Sequence, residues 1–398
     1  MEEWKECRLG DYCDFQNGYA FKSSEFKTNG EYKIVKIKEL KDGLVKFFDD
    51  SASVDIHDIK EFEKYKIYRN DVLFSLTGDP VSKPNPLSWV GRVSIYRSDE
   101  NALLNQRTCK IKKSDEIDNQ FLYYYFRQWE NFYALASKAT GSASQANIST
   151  NTIADTIIKL PPLPTQQKIA DILSSLDDKI ELNNKINTNL EQQAQALFKN
   201  FSEKSSKSVK FTDLIYILGG GTPKTNNEDY WNGKIPFFTP KDVGNPYCLL
   251  TEKKITETGL DNCNSRLYPV NTIFVTARGT VGKVCLAGLP MAMNQSCYAL
   301  KSKEDNQLLA YFYTLEAINS LKHKANGATF DAIVTRDFET ETINILSEQD
   351  TKEFTQIVKP IFEKILTNQK ENINLSNLRD TLLPKLMNGD LETNHMGD

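Results

Sequence analysis

Histidine is nearly absent: the 398 residues include three, His57, His323 and His395, each isolated. That scarcity leaves little material for a zinc site or for histidine-based acid–base and nucleophilic chemistry. No Cys-x-x-Cys spacing occurs, and seven cysteines, an odd number, read as reduced thiols of a cytoplasmic protein rather than a disulfide framework. No apolar run approaches the roughly 18 residues of a membrane span, and no charged-then-apolar leader opens the chain, so neither insertion nor export is expected. A Gly-x-Ser-x-Gly elbow, a His-Glu-x-x-His pair and the Asp/Asn-Pro-Pro-Phe/Tyr motif of amino-group methylases are all missing. The nearest approach to a phosphate loop, Ala277-Arg-Gly-Thr-Val-Gly-Lys283, lacks the first glycine and has Val284 where the metal-binding hydroxyl belongs. The chain reads as a binder.

What is present is a message stated twice, about 185 residues apart. Ile169, Leu173, Leu176, Ile180, Asn183, Asn187, Leu190, Ala194, Leu197 and Phe201 alternate by four and three residues, which is a coiled-coil seam. The rhythm returns at Phe354, Val358, Ile361, Ile365, Asn368, Asn372, Leu375, Arg379, Leu382 and Leu386, with two adjacent Asn layers in both helices. Antiparallel pairing in the register where partner numbers sum to 555 sets Asn183 against Asn372 and Asn187 against Asn368. A heptad slip would bury amides against Leu or Ile, costing roughly 1–3 kcal/mol each. These four Asn residues are therefore expected to fix register and orientation. Arg379, opposite Leu176, is the awkward layer, and its head is expected to snorkel outward. Thr165 and Ser347 are the expected N-caps, and Asn388-Gly389 supplies a stop.

The repeat extends ahead of each helix. Leu104-Asn-Gln-Arg-Thr-Cys109 answers Met293-Asn-Gln-Ser-Cys297, Phe121-Leu-Tyr-Tyr-Tyr-Phe126 answers Leu308-Leu-Ala-Tyr-Phe-Tyr313, and Lys138-Ala-Thr-Gly-Ser142 answers Lys324-Ala-Asn-Gly-Ala328. Residues 32–38, 71–75 and 271–276 read as short strands. The expected fold is α+β: two tandem mixed α/β units separated by two long helices that pair as an antiparallel coiled coil, with approximate twofold symmetry. The expected boundaries are 1–160, a central helix 161–205, 206–345, a distal helix 346–390 and a tail 391–398. The ten seam layers span 32 residues, about 48 Å or about 14 base pairs of duplex, so the rod could act as a ruler.

The contiguous aromatics cover all sides of a helix and are weighed as core packing rather than base stacking. Polar loops make better contact candidates. Residues 137–148 and 323–330 combine a lysine for phosphate with short polar groups and glycine: Lys138, Ser142, Ser144, Gln145 and Asn147 in the first, Lys324 and Asn326 in the second. Lys83, Arg278 and Lys283 lie in the glycine loops that follow the two buried strands. Gln106, Arg107 and Gln295 carry groups able to pair with adenine or guanine in the major groove. Net charge is −4, with Lys+Arg 49 against Asp+Glu 53, so a polyanion must meet local basic surface or another subunit must neutralise much of it. A non-enzymatic protein-binding adaptor with two globular heads on a coiled-coil rod is the second reading, and an enzyme with an unrecognised site the third.

Taken as a whole, the tandem arrangement, Leu160-Pro-Pro-Leu-Pro-Thr-Gln-Gln-Lys-Ile169 leading into the central helix, and Gly220-Gly-Thr-Pro-Lys224 followed by Tyr230-Trp-Asn-Gly-Lys-Ile-Pro236 resemble the specificity subunit of type I restriction-modification systems. The second copy departs from the proline-rich lead-in, reading Ile345-Leu-Ser-Glu-Gln-Asp350. The resemblance implies two target-recognition domains, each reading one half of a bipartite double-stranded DNA target, and helices that dock two modification (methyltransferase) subunits. It implies restriction and translocase subunits as further partners, and no catalysis by this chain. S-adenosylmethionine, ATP and Mg are expected on the partners, with no cofactor here. It assigns no individual base-reading residue, and divergence between the copies implies an asymmetric target.

Overall fold

The computed structural model describes residues 4–112, 115–244, 246–324 and 332–391. The chain divides into two compact units, residues 1–178 with 375–398 and residues 179–374. The division cuts both long helices, so each unit holds part of each.

In the first unit a six-stranded sheet runs in the order Phe15–Asn17, Thr108–Ile111, Val72–Ser75, Val93–Ile95, Leu44–Val45, Leu40–Lys41. Neighbours are antiparallel except where Ile95 pairs with Leu44. In the second unit the five-stranded sheet reads Ile215–Gly219, Cys297–Ser302, Ile273–Thr276, Val284–Ala287, Tyr247–Cys248. Strand for strand this matches the first five of the other sheet, and again only the last pairing is parallel. A smaller sheet recurs too: Ala102–Leu104 lies parallel to Tyr32–Val35 in one unit, Ala292–Met293 parallel to Trp231–Phe238 in the other. The duplication read from short motifs is thus a duplication of topology.

The strand expected over 32–38 stops at Val35 and gives way to a 3-10 turn at Ile37–Glu39. Glu39 is the reason: its carboxylate accepts from the Lys36 backbone N–H at 3.0 Å and from the Ser51 hydroxyl at 2.8 Å, bonds that hold a turn rather than a ladder. The aromatic runs sit on helices whose every side is covered. Phe121 to Phe126 are all buried in Asn119–Arg127, as are Tyr311 to Tyr313 in Gln307–Lys324. The second unit's helix is continuous for 18 residues, whereas its counterpart breaks at Gln128, whose extended backbone separates Asn119–Arg127 from Trp129–Ala136.

The long helices are Leu163–Ser202 and Glu348–Met387, 40 residues each. They pair antiparallel. No residue of either predicted seam is exposed, and Ile169, Leu173, Ala194, Phe354, Val358, Ile365 and Leu386 are fully buried. Ile169, Leu173, Leu383 and Leu386 pack with the Phe121 to Phe126 helix in the first unit. In the second, Phe198 stacks on Phe312 and meets Phe354 edge-on. Truncating such an aromatic to alanine costs roughly 3–5 kcal/mol.

Asn183 Nδ2 donates to Asn372 Oδ1 at 2.9 Å, and Asn368 Nδ2 donates to Asn187 Oδ1 at 2.8 Å. Asn184 and Glu371 flank these layers and add a bond each. Arg379 corrects the expectation that it snorkels to water. It is only 14% exposed and reaches Asp177 of the other helix at 2.6 Å, because a carboxylate one residue beyond Leu176 is a better partner than solvent. The central helix also starts earlier than expected, at Leu163, so Thr165 lies inside its first turn. Gln166 anchors that turn, accepting from Asp118 N–H at 2.9 Å and donating to the Pro161 carbonyl at 2.9 Å. Ser347 does cap the distal helix, accepting from Asp350 N–H at 3.1 Å. At its far end Gly389, φ 74°, donates to Leu386 while Asp390 donates to Lys385, a Schellman stop.

Candidate nucleic-acid interface

In the first unit the contact candidates converge on one strand end. Leu76 N–H donates to the Arg107 carbonyl at 2.9 Å, and its own carbonyl accepts from Ile148 N–H at 3.0 Å. The 105–107 turn thus lies on one side of the chain leaving Val72–Ser75, and the hairpin of Thr140–Ser142 with Gln145–Asn147 lies on the other. Gln106, Arg107, Ser142, Ser144, Gln145 and Asn147 are exposed there. Asn147 is partly engaged, since the Thr77 hydroxyl donates to its Oδ1 at 2.8 Å. Ser142 Oγ accepts from Gln145 N–H at 3.3 Å and holds the hairpin tip.

Lys83 projects from the loop that follows Thr77–Gly78. Asp79 and Val90 close the loop through their backbones, and the Trp89 indole N–H donates to the Lys83 carbonyl at 2.8 Å. Trp89 is itself buried against Trp129, Phe132 and Tyr133, so the loop is anchored by an aromatic cluster. Arg92 reinforces it from below, donating to the Leu87 carbonyl at 2.6 Å and the Leu40 carbonyl at 3.2 Å. Burial holds this guanidinium below its ordinary value.

In the second unit a cleft of about 510 Å³ takes in Arg278 and both chain neighbours of Gln295. Thr239, Lys241, Lys253, Arg278, Asn294 and Ser296 line it. Arg278 and Lys283 are exposed on the loop between Ile273–Thr276 and Val284–Ala287. That strand–loop–strand setting rules the loop out as a phosphate loop, which must open a helix. Gln295 is exposed beside the cleft on the turn before Cys297–Ser302, and the Thr222 hydroxyl donates to its Oε1. Lys322 lies across Gly282; burial, with the nearby Lys283 charge, pushes its ammonium below the ordinary value.

Two matched lysines, both exposed, also make contacts within the chain. Lys138 Nζ reaches the Thr156 hydroxyl at 3.4 Å, and Lys324 Nζ reaches the buried Glu341 carboxylate at 2.7 Å. Thr156 and Glu341 occupy the same place in the two copies, their carbonyls accepting from Leu9 N–H and Phe211 N–H. Asn326 lies outside the described residues. Beyond the residues singled out from sequence, the Pro240–Asp242 turn brings Lys241 and the pairing of Lys253–Ile255 with Trp231–Phe238 brings Lys253 to the cleft, and Tyr19 is 38% exposed with its carbonyl accepting from Gln106 N–H. Among the described residues no group of three or more His, Cys, Asp or Glu could hold a metal ion, and no helix is long and apolar enough to cross a membrane.

The sequence profile of a family described as the type I restriction modification DNA specificity domain matches residues 1–192 and again residues 203–376. The chain belongs to this family. Its members here include the MjaIX specificity subunit of Methanocaldococcus jannaschii, 25% identical over 333 residues that cover 77% of this chain and 76% of the relative. The HindI specificity subunit of Haemophilus influenzae is 25% identical over an alignment covering 98% of this chain and 100% of the relative. The crystal structure of a type I restriction-modification S subunit from M. genitalium shares the fold, with a TM-score of 0.60 at 17% identity over 97% of this chain and 96% of that one. Within this family the chain is the specificity subunit rather than a catalytic one.

Proposed function

We propose that this chain reads a bipartite, asymmetric DNA target, one half with each unit. The observation that carries the reading is a shared sheet topology with unlike loops at corresponding strand ends. After Val72–Ser75 comes a proline-rich loop bearing Lys83, and after Ile273–Thr276 a short glycine loop bearing Arg278 and Lys283. A common scaffold with divergent polar loops suits two readers of different sequences. Exposed Gln and Arg side chains offer paired hydrogen bonds to base edges, and the lysines offer phosphate contacts.

The chain supplies recognition and scaffolding. Two modification subunits would bring S-adenosylmethionine and adenine methylation, and restriction subunits would bring ATP, Mg, translocation and cleavage. This chain would bind none of those cofactors. The test is adenine-methylation mapping in cells that carry the modification subunit with or without this chain. A bipartite motif appearing only with the chain is expected, and exchange of residues 1–160 should change one half alone. A stable complex that directs no methylation would sink the DNA reading in favour of an adaptor.

A further inference from the structure

We propose that Thr222 positions the Gln295 amide to read one base edge, an adenine by its hydrogen-bonding pattern, in the half-site bound by the second unit. The inference rests on the DNA-reading function above and assigns a task to the Gly-Gly-Thr-Pro box, which that function left unexplained.

A surface glutamine turns freely about its last torsion and presents its donor and acceptor in no fixed order. Here the Thr222 hydroxyl donates to Gln295 Oε1. That bond leaves one Nε2 hydrogen, the one cis to Oε1, and the second lone pair of Oε1 as a donor–acceptor pair that matches adenine N7 and N6. Asn294 and Ser296, the neighbours of Gln295, line the cleft that also holds Lys241 and Arg278. Cations beside an oriented amide are what a reader needs, since phosphate contacts set position and base contacts set sequence.

The glycines explain how Thr222 gets there. A Cβ on Gly220 would lie 2.2 Å from the Asn294 carbonyl oxygen, and one on Gly221 would lie 2.6 Å from Asn264 N. Gly221 N–H donates to the Met293 carbonyl at 3.0 Å, tying the box to the turn that carries Gln295. Only a chain without side chains at 220 and 221 passes closely enough for Thr222 to reach that amide.

The first unit supplies an internal comparison. A Cβ on Gly18 would lie 2.1 Å from the Asn105 carbonyl oxygen, and Tyr19 N–H donates to Leu104 at 2.9 Å, so Gly18, Tyr19 and Ala20 correspond to Gly220, Gly221 and Thr222. Gln106 corresponds to Gln295, but the position corresponding to Thr222 is Ala20, which has no hydroxyl to donate. The same amide is restrained in one unit and not in the other, which separates the two half-sites even where both carry glutamine.

The experiment is methylation mapping with the full chain and its modification subunit in cells. Thr222→Ser should keep the wild-type motif. Thr222→Ala should relax one A·T position about tenfold, within the roughly 5- to 150-fold range of one good paired contact, and Gln295→Ala should relax the same position. Gln106→Ala should disturb only the other half. An unchanged motif in Thr222→Ala, relaxation at a position that Gln295→Ala leaves intact, or loss of methylation that Thr222→Ser shares would each overturn this assignment while leaving the DNA reading standing. Absence of any chain-dependent motif with the wild type would overturn the DNA reading and this assignment together.

Discussion

Arg379 occupies a seam position of the distal helix, where a long cation would ordinarily be a liability. Asp177 turns it into a clasp: its Oδ1 accepts from Arg379 at 2.6 Å and its Oδ2 from the Tyr124 hydroxyl at 2.6 Å. Burial alone would depress the guanidinium, but the charges and hydrogen bonds of Asp177 and Asp380 together outweigh it and the group sits above its ordinary value. Both partners are mostly covered, 14% and 16% exposed, so truncation strands a charge rather than only removing an attraction. We expect Arg379→Met to cost about 3–5 kcal/mol. Arg379→Met combined with Asp177→Asn should recover most of that loss, because an apolar chain replaces the cation and a neutral amide, still able to accept from the Tyr124 hydroxyl, replaces the carboxylate. Urea denaturation of Arg379→Met, Asp177→Asn and the double variant measures the coupling, and strict additivity would show that the pair is ornamental. Nothing local announces this clasp, since Asp177 lies off the seam and becomes a partner only when the helices meet. Lys324 was hidden for the same reason. Its string reads like an exposed polar loop, yet Glu341, 2% exposed, captures it from the approach to the next strand.

The long helices were the most legible elements because their signal is periodic and local. A four-three alternation sustained over ten layers names the buried face before any partner is known. The Asn layers were legible as well, being polar exactly where the rhythm calls for leucine. The start of the central helix was not: three prolines among residues 161–164 favour extended chain in general, but Pro164 fits the first turn of a helix, where its missing N–H goes unused. Strands of two or three residues, such as Leu40–Lys41 and Thr77–Gly78, carry too little pattern to read. Thr77–Gly78 matters for the interface because it pairs with the 140–147 hairpin and opens the loop that bears Lys83. At this scale Asn187→Leu should destabilise the pair by roughly 1–3 kcal/mol, because Asn368, wholly buried, loses the acceptor for its amide. Asn187→Leu with Asn368→Leu should restore stability or exceed the wild type, as an apolar layer replaces a polar one. Denaturation midpoints of the three variants decide it, and a double variant no better than Asn187→Leu would show that the layer does more than satisfy itself.

For the whole chain, charge sets the terms on which DNA can be held. The net charge of −4 means that Lys83, Arg107, Arg278, Lys283 and the cleft lysines form local basic patches on a molecule that otherwise repels a polyanion. Each phosphate neutralised by a cation lowers the logarithm of the binding constant by about 0.9 per decade of salt. Few such contacts give shallow salt dependence, while tight binding in an assembly requires many. The partner subunits are therefore expected to supply most of the phosphate contacts, and this chain most of the base contacts. Anisotropy titrations on duplexes carrying the mapped motif should give the free chain weak affinity with a slope of only a few. With the modification subunit bound, affinity should rise and the slope should steepen by several units, while the preference for the motif over scrambled duplex is already present in the free chain. A steep slope for the free chain would place the phosphate contacts on its own loops. Discrimination that arises only in the complex would move base reading away from Gln106, Arg107 and Gln295.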